Sequence, residues 1–407
     1  MNNKNLFSLL LVWTLLFPYV GWFSGIDTQP LFILFSSVFI ILNISNVSKN
    51  PLNIWFLISC IFCFLSIIIS QLVYLESFDF IYLITYVVVV ITIFNIKLLL
   101  DLGEIEVNKN HIYIALLVYV LVGFIQSFIP DFLAFMVSRS IESVYTFAET
   151  GRGVRSLSAE PATLGKLFNY FYVLLIVMYF KSGNISFNKI SSLTILFLII
   201  HVLIPRSAYA LMTFLIIAMS LFAVIKVRYF ILTSLLLFLT FSIFYSSTEV
   251  TSGGRIITLI HNLIHNPELL LEQGAMRRLL NIPISLYNLG YYGFVGSGSS
   301  ASTWITSMPT PIGDLNYLVH SRNLGGFIEF ILVLGVLSLP FVSIYSYYFF
   351  SIFKVKSKIA DNTIYLGIWL FIVFFLLILQ DGAVTLPLAW FFIFYINKIC
   401  KGFNINE

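Results

Sequence analysis

Charged residues are scarce in this chain of 407 residues. They make up 10% of it, whereas hydrophobic residues make up 59% and aromatic residues 17%. A soluble protein of this length would need a far larger polar surface, so the composition excludes an ordinary soluble enzyme. The net charge is only +4 and no polybasic stretch is present, so nucleic acid is not expected as a partner. The chain is predicted to reside in a lipid membrane.

Cysteine is scarce as well, with three residues in the chain. Three cysteines provide no disulfide framework, and Cys60 and Cys63 form a CxxC inside a predicted membrane span. Two small core residues are a better interpretation of that pair than a redox site. His261 and His265 have the spacing of a zinc pair, but no HExxH glutamate or third ligand accompanies them. We therefore expect neither a metal nor a cofactor.

The common nucleotide-binding and hydrolase motifs are also missing. The chain has no P-loop, no Rossmann fingerprint and no nucleophile elbow, and the GSGSS at 296–300 follows no strand and lacks the lysine. Apolar runs long enough to span a bilayer are abundant instead. They predict an all-α polytopic membrane protein, with residues 1–407 forming one integral membrane domain. The twelve predicted spans are 6–23, 30–46, 53–71, 79–98, 112–129, 162–180, 190–204, 207–225, 229–246, 324–350, 363–379 and 383–397.

The first run resembles a secretory signal sequence. No small-residue cleavage site follows it and further spans do, so we expect it to remain as a helix. With the amino terminus in the cytoplasm, the short inner segments hold most of the cations, as the positive-inside rule expects. Twelve spans then leave both termini cytoplasmic. The inner cations are Lys4, Lys49, Lys97, Lys109, Lys181, Lys189, Lys226, Arg228, Lys354, Lys356, Lys358, Lys398 and Lys401.

The outer cations are of a different kind. They comprise eight arginines and one lysine, although topology asks only for charge. A guanidinium is a planar fork that matches phosphate and carboxylate oxygens bidentately, so the sorting favours recognition of an anion on the outer side. The sorting has an alternative explanation. A coding bias could favour lysine on the inner side, while the outer arginines pair with acidic neighbours. The outer cations are Arg139, Arg152, Arg155, Lys166, Arg206, Arg255, Arg277, Arg278 and Arg322.

Two long segments, 130–161 and 247–323, fall outside on this topology, and long loops are usually functional. The second begins with apolar residues at helical spacing, which predicts a helix along the membrane interface. At the end of the first, Glu160 precedes Pro161 and is predicted to cap a helix, while Arg155 and Thr163 make the same corner suited to an anion. Small and polar Gly165 and Asn169 are expected to leave that helix face open.

A family resemblance rests on several short motifs. Arg277 and Arg278 lie on a predicted short helix, which is followed by the G-x-G turn at 296–298. His320 precedes a span that holds Gly325, Gly326 and Glu329. The segment SAEPATLG and the turn IPRSAYALMTFL, with Arg206, add to this order. Over roughly residues 150–350 the chain resembles the bacterial O-antigen polymerase and ligase superfamily, which are polytopic inner-membrane glycosyltransferases of the GT-C class.

The resemblance implies a polysaccharide polymerase for lipopolysaccharide biosynthesis. Such an enzyme transfers the growing glycan from undecaprenyl pyrophosphate to the terminal sugar of a new lipid-linked repeat unit, without a metal. His320 and Glu160 are the candidate catalytic bases. The alternative functions are an O-antigen ligase of the same superfamily and a polysaccharide flippase or other transporter. The resemblance also leaves open a chain-length regulator as a protein partner. The candidate ligands of pyrophosphate or glycan are Arg152, Arg155, Arg206, Arg255, Arg277, Arg278 and Arg322.

Overall fold

The structure is a computed structural model. It describes residues 3–21, 28–43, 80–137, 153–183, 186–225, 357–359, 362–364, 366–380 and 385–403, with single positions between 58 and 72 and between 335 and 350. The chain is mostly helical there, as predicted. The α-helices are α1 (Asn3–Leu16), α2 (Leu31–Leu42), α3 (Phe80–Asp101), α4 (Lys109–Gln126), α5 (Pro161–Lys181), α6 (Phe187–Leu203), α7 (Ala208–Ile225), α8 (Leu366–Phe374) and α9 (Pro387–Phe403).

Other regular structure in this part of the chain is brief. A 3₁₀ turn covers Ala134–Met136, and α8 continues as a π-helix over Phe375–Gln380. A two-stranded antiparallel hairpin pairs β1 (Ser357–Ile359) with β2 (Asn362–Ile364). The hydroxyl of Tyr170 donates to the carbonyl of Leu377, 2.8 Å away, and so ties α5 to the π-helix.

Nine of the twelve predicted spans fall on helices of the described residues. The runs at 53–71, 229–246 and 324–350 lie outside them apart from single positions. The largest difference in a boundary is at α1, which ends at Leu16 rather than at residue 23. The cause is Pro18, because a proline disfavours the helical conformation in the residue before it. The chain turns there, and the N–H of Gly21 bonds the carbonyl of Met136 at 3.0 Å.

Helix α5 lies at the centre of the described bundle. It packs against α4, α6, α7, α9 and the π-helix, and sixteen of its residues are buried. The helix begins at Pro161, whose fixed φ suits a first helical position. It ends before Gly183, which has a φ of 65° that a glycine adopts without strain. The start of α5 therefore lies near the axis of the bundle, at one of its ends.

The described helices place two groups of connecting segments at opposite ends of α5. The segments 17–21, 127–137, 153–160 and 204–207 meet at its start, and we call this the arginine end because it carries Arg155 and Arg206. The lysine end comprises residues 97–111, 179–183 and 186–189. There Lys97 pairs with Asp101, and Lys109 donates to the hydroxyl of Ser182 at 2.8 Å.

Two of the described helices, α4 and α5, are long and apolar enough to cross a membrane by length and composition. Six further apolar stretches there, in α1, α2, α6, α7, α8 and α9, are 10 to 17 residues long. The side chains of Ile114, Leu117 and Leu121 are exposed along one side of α4. An exposed apolar stripe on a long apolar helix suggests association with a membrane.

Candidate functional site

Three of the predicted site residues lie within the described residues: Arg155, Glu160 and Arg206. Arg152, Arg255, Arg277, Arg278, Arg322 and His320 lie outside them. The three described residues belong to adjoining segments of the arginine end. The N–H of Val154 donates to the carbonyl of Ile204 at 3.0 Å, which joins the segment of Arg155 and Glu160 to the turn of Arg206.

Residues 155–159 are buried, although the sequence predicted the end of a long outer loop. Ser156 and Ser158 are fully buried, and Arg155 is 1% exposed. The Ser156 hydroxyl donates to the carbonyl of Tyr119 at 2.7 Å, and Gln126 Nε2 donates to the carbonyl of Ser156 at 3.3 Å. These bonds to α4 satisfy polar groups that would otherwise be costly to bury. The segment therefore belongs to the packed core of the arginine end.

The guanidinium of Arg155 reaches from this segment to the 3₁₀ turn. One of its terminal nitrogens donates to the carbonyl of Ala134 at 3.3 Å. A buried charge requires hydrogen-bond partners, and a guanidinium with five donors can serve several at once. Arg155 thus links residues 131–137 to the start of α5. An anion ligand of this residue would have to reach a nearly enclosed group.

The polar groups around Glu160 are arranged by its position before α5. Its backbone is extended, with φ −146° and ψ 160°, and Pro161 is the first helical residue, which confirms the predicted helix start. The Glu160 N–H donates to Thr163 Oγ1 at 2.9 Å, and the hydroxyl of Ser158 donates to the Glu160 carbonyl at 2.7 Å. The backbone of Glu160 is thereby fixed, and its side chain is half-buried.

Backbone strain is concentrated at this end of the bundle. Among the described residues, three that are not glycine have a positive φ: Leu133 at 55°, Ser156 at 51° and Arg206 at 45°. Each such conformation costs of order 1–3 kcal/mol and persists only where surrounding contacts enforce it. Gly153 has a φ of 77°, and a side chain there would overlap the backbone of Ile204 and Pro205. Strain of this kind is typical of functional sites, and here it borders Arg155 and Arg206.

Arg206 occupies the turn between α6 and α7 and is exposed. Its Nε donates to the carbonyl of Leu203 at 3.3 Å, and its backbone N–H donates to the carbonyl of His201 at 3.1 Å. The first bond is made by Nε alone, so it does not involve either terminal nitrogen of the guanidinium. This turn can present a guanidinium to an anion outside the bundle, unlike the enclosed Arg155.

Sequence reasoning missed two polar residues of this region, Gln126 and Ser156. The Oε1 atom of Gln126 is buried and has no hydrogen-bond partner among the described residues, whereas its Nε2 also serves the carbonyl of Phe132 at 2.9 Å. In the sequence, a glutamine at the end of an apolar helix is only a weak indication of a buried polar site, because such a residue is commonly solvated. Its burial arises from contact with residues 153–160, which no spacing rule predicts.

The expectation for Gly165 and Asn169 was wrong. They were expected to leave an open polar face on α5, but both are buried against α7. Asn169 Nδ2 donates to the carbonyl of Ala210 at 3.1 Å, and a Cβ at Gly165 would overlap the Cβ of Ala210. The small residue allows close approach of two helices, and the amide bonds across the contact.

We predict that Gly165→Ala destabilises the protein. The added methyl group must push α5 and α7 apart, which costs about 1–3 kcal/mol, and thermal unfolding in detergent measures it as a lower Tm. Ile199→Ala is the control: Ile199 is 49% exposed on α6, so its loss should cost only about 0.5 kcal/mol. An unchanged Tm in Gly165→Ala would show that the helices are not in close contact there.

The described residues hold no group of three or more histidine, cysteine, aspartate or glutamate side chains that could bind a metal ion. Searches for a matching family model, for a similar curated protein and for a similar solved structure each found no match. The arginine end can therefore be judged by its own chemistry. It offers one enclosed and one exposed guanidinium, a half-buried carboxylate at a helix start, and strained backbone that holds them.

Proposed function

We propose that the protein is a polysaccharide polymerase of the bacterial inner membrane, an inverting glycosyltransferase that needs no metal. One observation carries the proposal. Arg155, Arg206 and Glu160 come together at one end of the described bundle, whereas Lys97, Lys109 and Lys398 lie at the other. Lys398 Nζ donates to the carbonyl of Leu100 at the lysine end. Such sorting has a cause if one end binds an anion and the other only sets orientation.

The reaction fits these groups. A sugar hydroxyl of the lipid-linked acceptor attacks the anomeric carbon of the growing glycan, and a base takes the hydroxyl proton. The bond from that carbon to the phosphate oxygen breaks, and undecaprenyl pyrophosphate leaves with the electron pair. Guanidinium groups that face the leaving oxygens stabilise the charge that develops on them. Glu160 and His320 are the candidate bases, and both belong to the predicted outer side.

Membrane placement is part of the proposal. We propose twelve spans in a GT-C-like arrangement, with the arginine end on the periplasmic side. Exposed apolar side chains on α4, and on α6 at Ile195 and Ile199, support a lipid-facing surface. At the lysine end, Lys109 Nζ lies 4.2 Å from the ring centre of Tyr179, an arrangement suited to the inner membrane interface.

We predict that Ser143 and Ser299 are outside the cell membrane. Cysteine replacements at these two positions should react with an impermeant reagent in intact spheroplasts. The reason is that the lysine asymmetry places the two long segments that contain them on the outer side. A cysteine at Asn406, near the carboxyl terminus, is the control and should react only after lysis. Protection of position 143 or 299 in intact spheroplasts would contradict the proposed topology.

Purified protein provides the direct test of the activity. In detergent, with a lipid-linked repeat unit as the only sugar substrate, it should form products with two or more repeats and release undecaprenyl pyrophosphate. Product formation should persist when a chelator is present. Transfer to a lipid A acceptor, with no joining of repeats, would identify a ligase instead. Movement of the lipid-linked unit across vesicle membranes without any new glycosidic bond would identify a flippase.

A further inference from the structure

The hydroxyl of Thr163, in the first turn of α5, contacts the backbone of Glu160 on both sides of its Cα. Its Oγ1 accepts the N–H of Glu160 at 2.9 Å and donates to the Glu160 carbonyl oxygen at 2.7 Å. The sequence placed Thr163 in a corner suited to an anion. In the structure its hydroxyl is directed at Glu160 instead, so the contact bears on where the carboxylate of that residue lies.

The bond to the N–H determines the direction of the Glu160 side chain. Seen from α5, the ψ angle of Glu160 sets where both its N and its Cβ lie around the Cα–C bond. Thr163 belongs to α5, so its bond to the N–H holds the nitrogen in place and thereby holds Cβ as well. The observed ψ is 160°.

Pro161 restricts this angle but does not fix it. A proline keeps the preceding residue extended and still permits ψ values over about 40°, a swing that displaces a glutamate carboxylate by more than about 1 Å. The side chain of Thr163 is suited to removing that freedom, because its β-branch leaves few rotamers for the hydroxyl. The contact thus narrows a range that the proline leaves open.

The carbonyl of Glu160, by contrast, has more donors than it requires. The hydroxyl of Ser158 donates to this oxygen at 2.7 Å, and the N–H of Leu164 does so at 3.0 Å, in addition to the hydroxyl of Thr163. A carbonyl oxygen has two lone pairs. Loss of the Ser158 hydroxyl therefore leaves the carbonyl with two donors, whereas loss of the Thr163 hydroxyl removes the bond to the N–H.

We propose that Thr163 is a positioning residue for Glu160: by accepting the N–H, its hydroxyl fixes the direction of the carboxylate towards the acceptor sugar. Thr163 acts through Glu160 and not on the substrate. The inference rests on the proposed function, in which the carboxylate of Glu160 takes part in the transfer. A displacement of 1 Å at a reacting group lowers a rate by about 10²-fold, so the contact is large enough in its effect to be measured.

Three substitutions separate this role from others. Thr163→Val keeps the shape of the side chain and lacks the hydroxyl. Thr163→Ser keeps the hydroxyl and lacks only the methyl group, so it should restore the contact. Ser158→Ala is the matched control, because it also removes a hydroxyl that bonds Glu160 but leaves the bond to the N–H intact.

The first measurement is the turnover of purified full-length variants in detergent with a lipid-linked repeat unit. Thr163→Val should lower kcat about ten- to hundredfold with little change in KM, since the carboxylate is misplaced while substrate binding persists. Thr163→Ser and Ser158→Ala should stay close to wild type. A kcat of Thr163→Val close to wild type, or an equal loss in Ser158→Ala, would overturn the inference.

The same substitution in a Glu160→Gln background tests whether Thr163 acts through the carboxylate. With that carboxylate removed, Thr163→Val should cause little further loss, because the two residues act as a unit. An equal fold-loss in both backgrounds would show that Thr163 only stabilises the helix start, and would overturn the inference. Full turnover in Glu160→Gln would also overturn it, while a polymerase that uses His320 as its base would stand.

The second measurement needs no substrate. A nitroxide label is attached to Glu160→Cys in full-length protein whose three native cysteines are replaced by alanine, which leaves the N–H of residue 160 in place. Thr163→Val should increase the mobility of the label in electron paramagnetic resonance spectra, and Ser158→Ala should not. Equal mobility with and without the Thr163 hydroxyl would overturn the inference. A label that responds as expected, in a protein that joins no repeat units, would support the contact and refute the proposed function.

Discussion

Replacement of Arg155, Arg206 or Arg278 by lysine is expected to reduce polymer as severely as replacement by alanine. A lysine supplies a point charge but no planar fork, so it cannot restore a bidentate bond to phosphate oxygens. Loss of a hydrogen bond to a charged group costs about 1.5–3 kcal/mol, or roughly ten- to hundredfold in turnover. Turnover of the purified variants with a lipid-linked repeat unit measures the effect.

The described residues make this prediction sharper than the sequence alone. Arg155 is enclosed and bonds Ala134, so its substitution also threatens folding, and its protein level must be measured alongside. Arg206 is exposed, so Arg206→Lys should fold normally and lose turnover alone. Arg278 lies outside the described residues. A normal melting temperature with lost turnover in Arg206→Lys would show that Arg206 acts on the ligand and not on the stability of the fold.

Lysines assigned to membrane orientation provide the matched control. Lys354, Lys356 and Lys358 should each tolerate exchange for arginine with polymer unchanged, because orientation requires only positive charge. Full polymer from lysine variants at all three arginine positions would instead support the alternative in which outer arginines pair with acidic neighbours.

The second large effect concerns the base. Removal of a general base typically costs about 10²–10⁴-fold in rate, and we expect such a loss in either His320→Gln or Glu160→Gln. We hypothesise that the two residues lie on opposite sides of one outward-facing cavity. Because misplacement of a substrate can cost as much, the size of the loss cannot by itself assign the role.

The dependence of the rate on pH assigns it. If His320 is the base, the acidic limb of the profile should vanish in His320→Gln while substrate binding persists. If the limb remains in that variant and is lost in Glu160→Gln, the glutamate is the base and the histidine contacts pyrophosphate. Normal polymer in both variants at normal protein level would place the reaction elsewhere in the protein.

Long apolar runs were sufficient to predict approximately where the described helices lie, because a continuous apolar run of that length favours a helix. The start of α5 was also predictable, because Glu160 and Pro161 are local signals that act within one turn. The end of α1 was missed because hydropathy carried the prediction past Pro18. The short hairpin of β1 and β2 was missed because its residues were assigned to an inner segment and to the first residues of a predicted span.

The interior of the arginine end was beyond such reasoning. Burial of Arg155 and Ser156 depends on contacts with residues far apart in sequence, at Ala134 and Tyr119. Likewise, Gly165 is small because Ala210 lies against it, whereas its spacing from Pro161 suggested an open face.

Glycan chain length in cells tests the central claim most directly. Surface glycans from cells that lack this protein should carry single repeat units with no ladder of longer chains, and the ladder should return with the wild-type gene but not with Arg206→Lys. Single repeat units on the surface mean that the units are still moved to the outer side and still attached there. The only step that has failed is then the joining of one repeat unit to the next. Complete loss of surface glycan in those cells would contradict the account and indicate a flippase or a ligase.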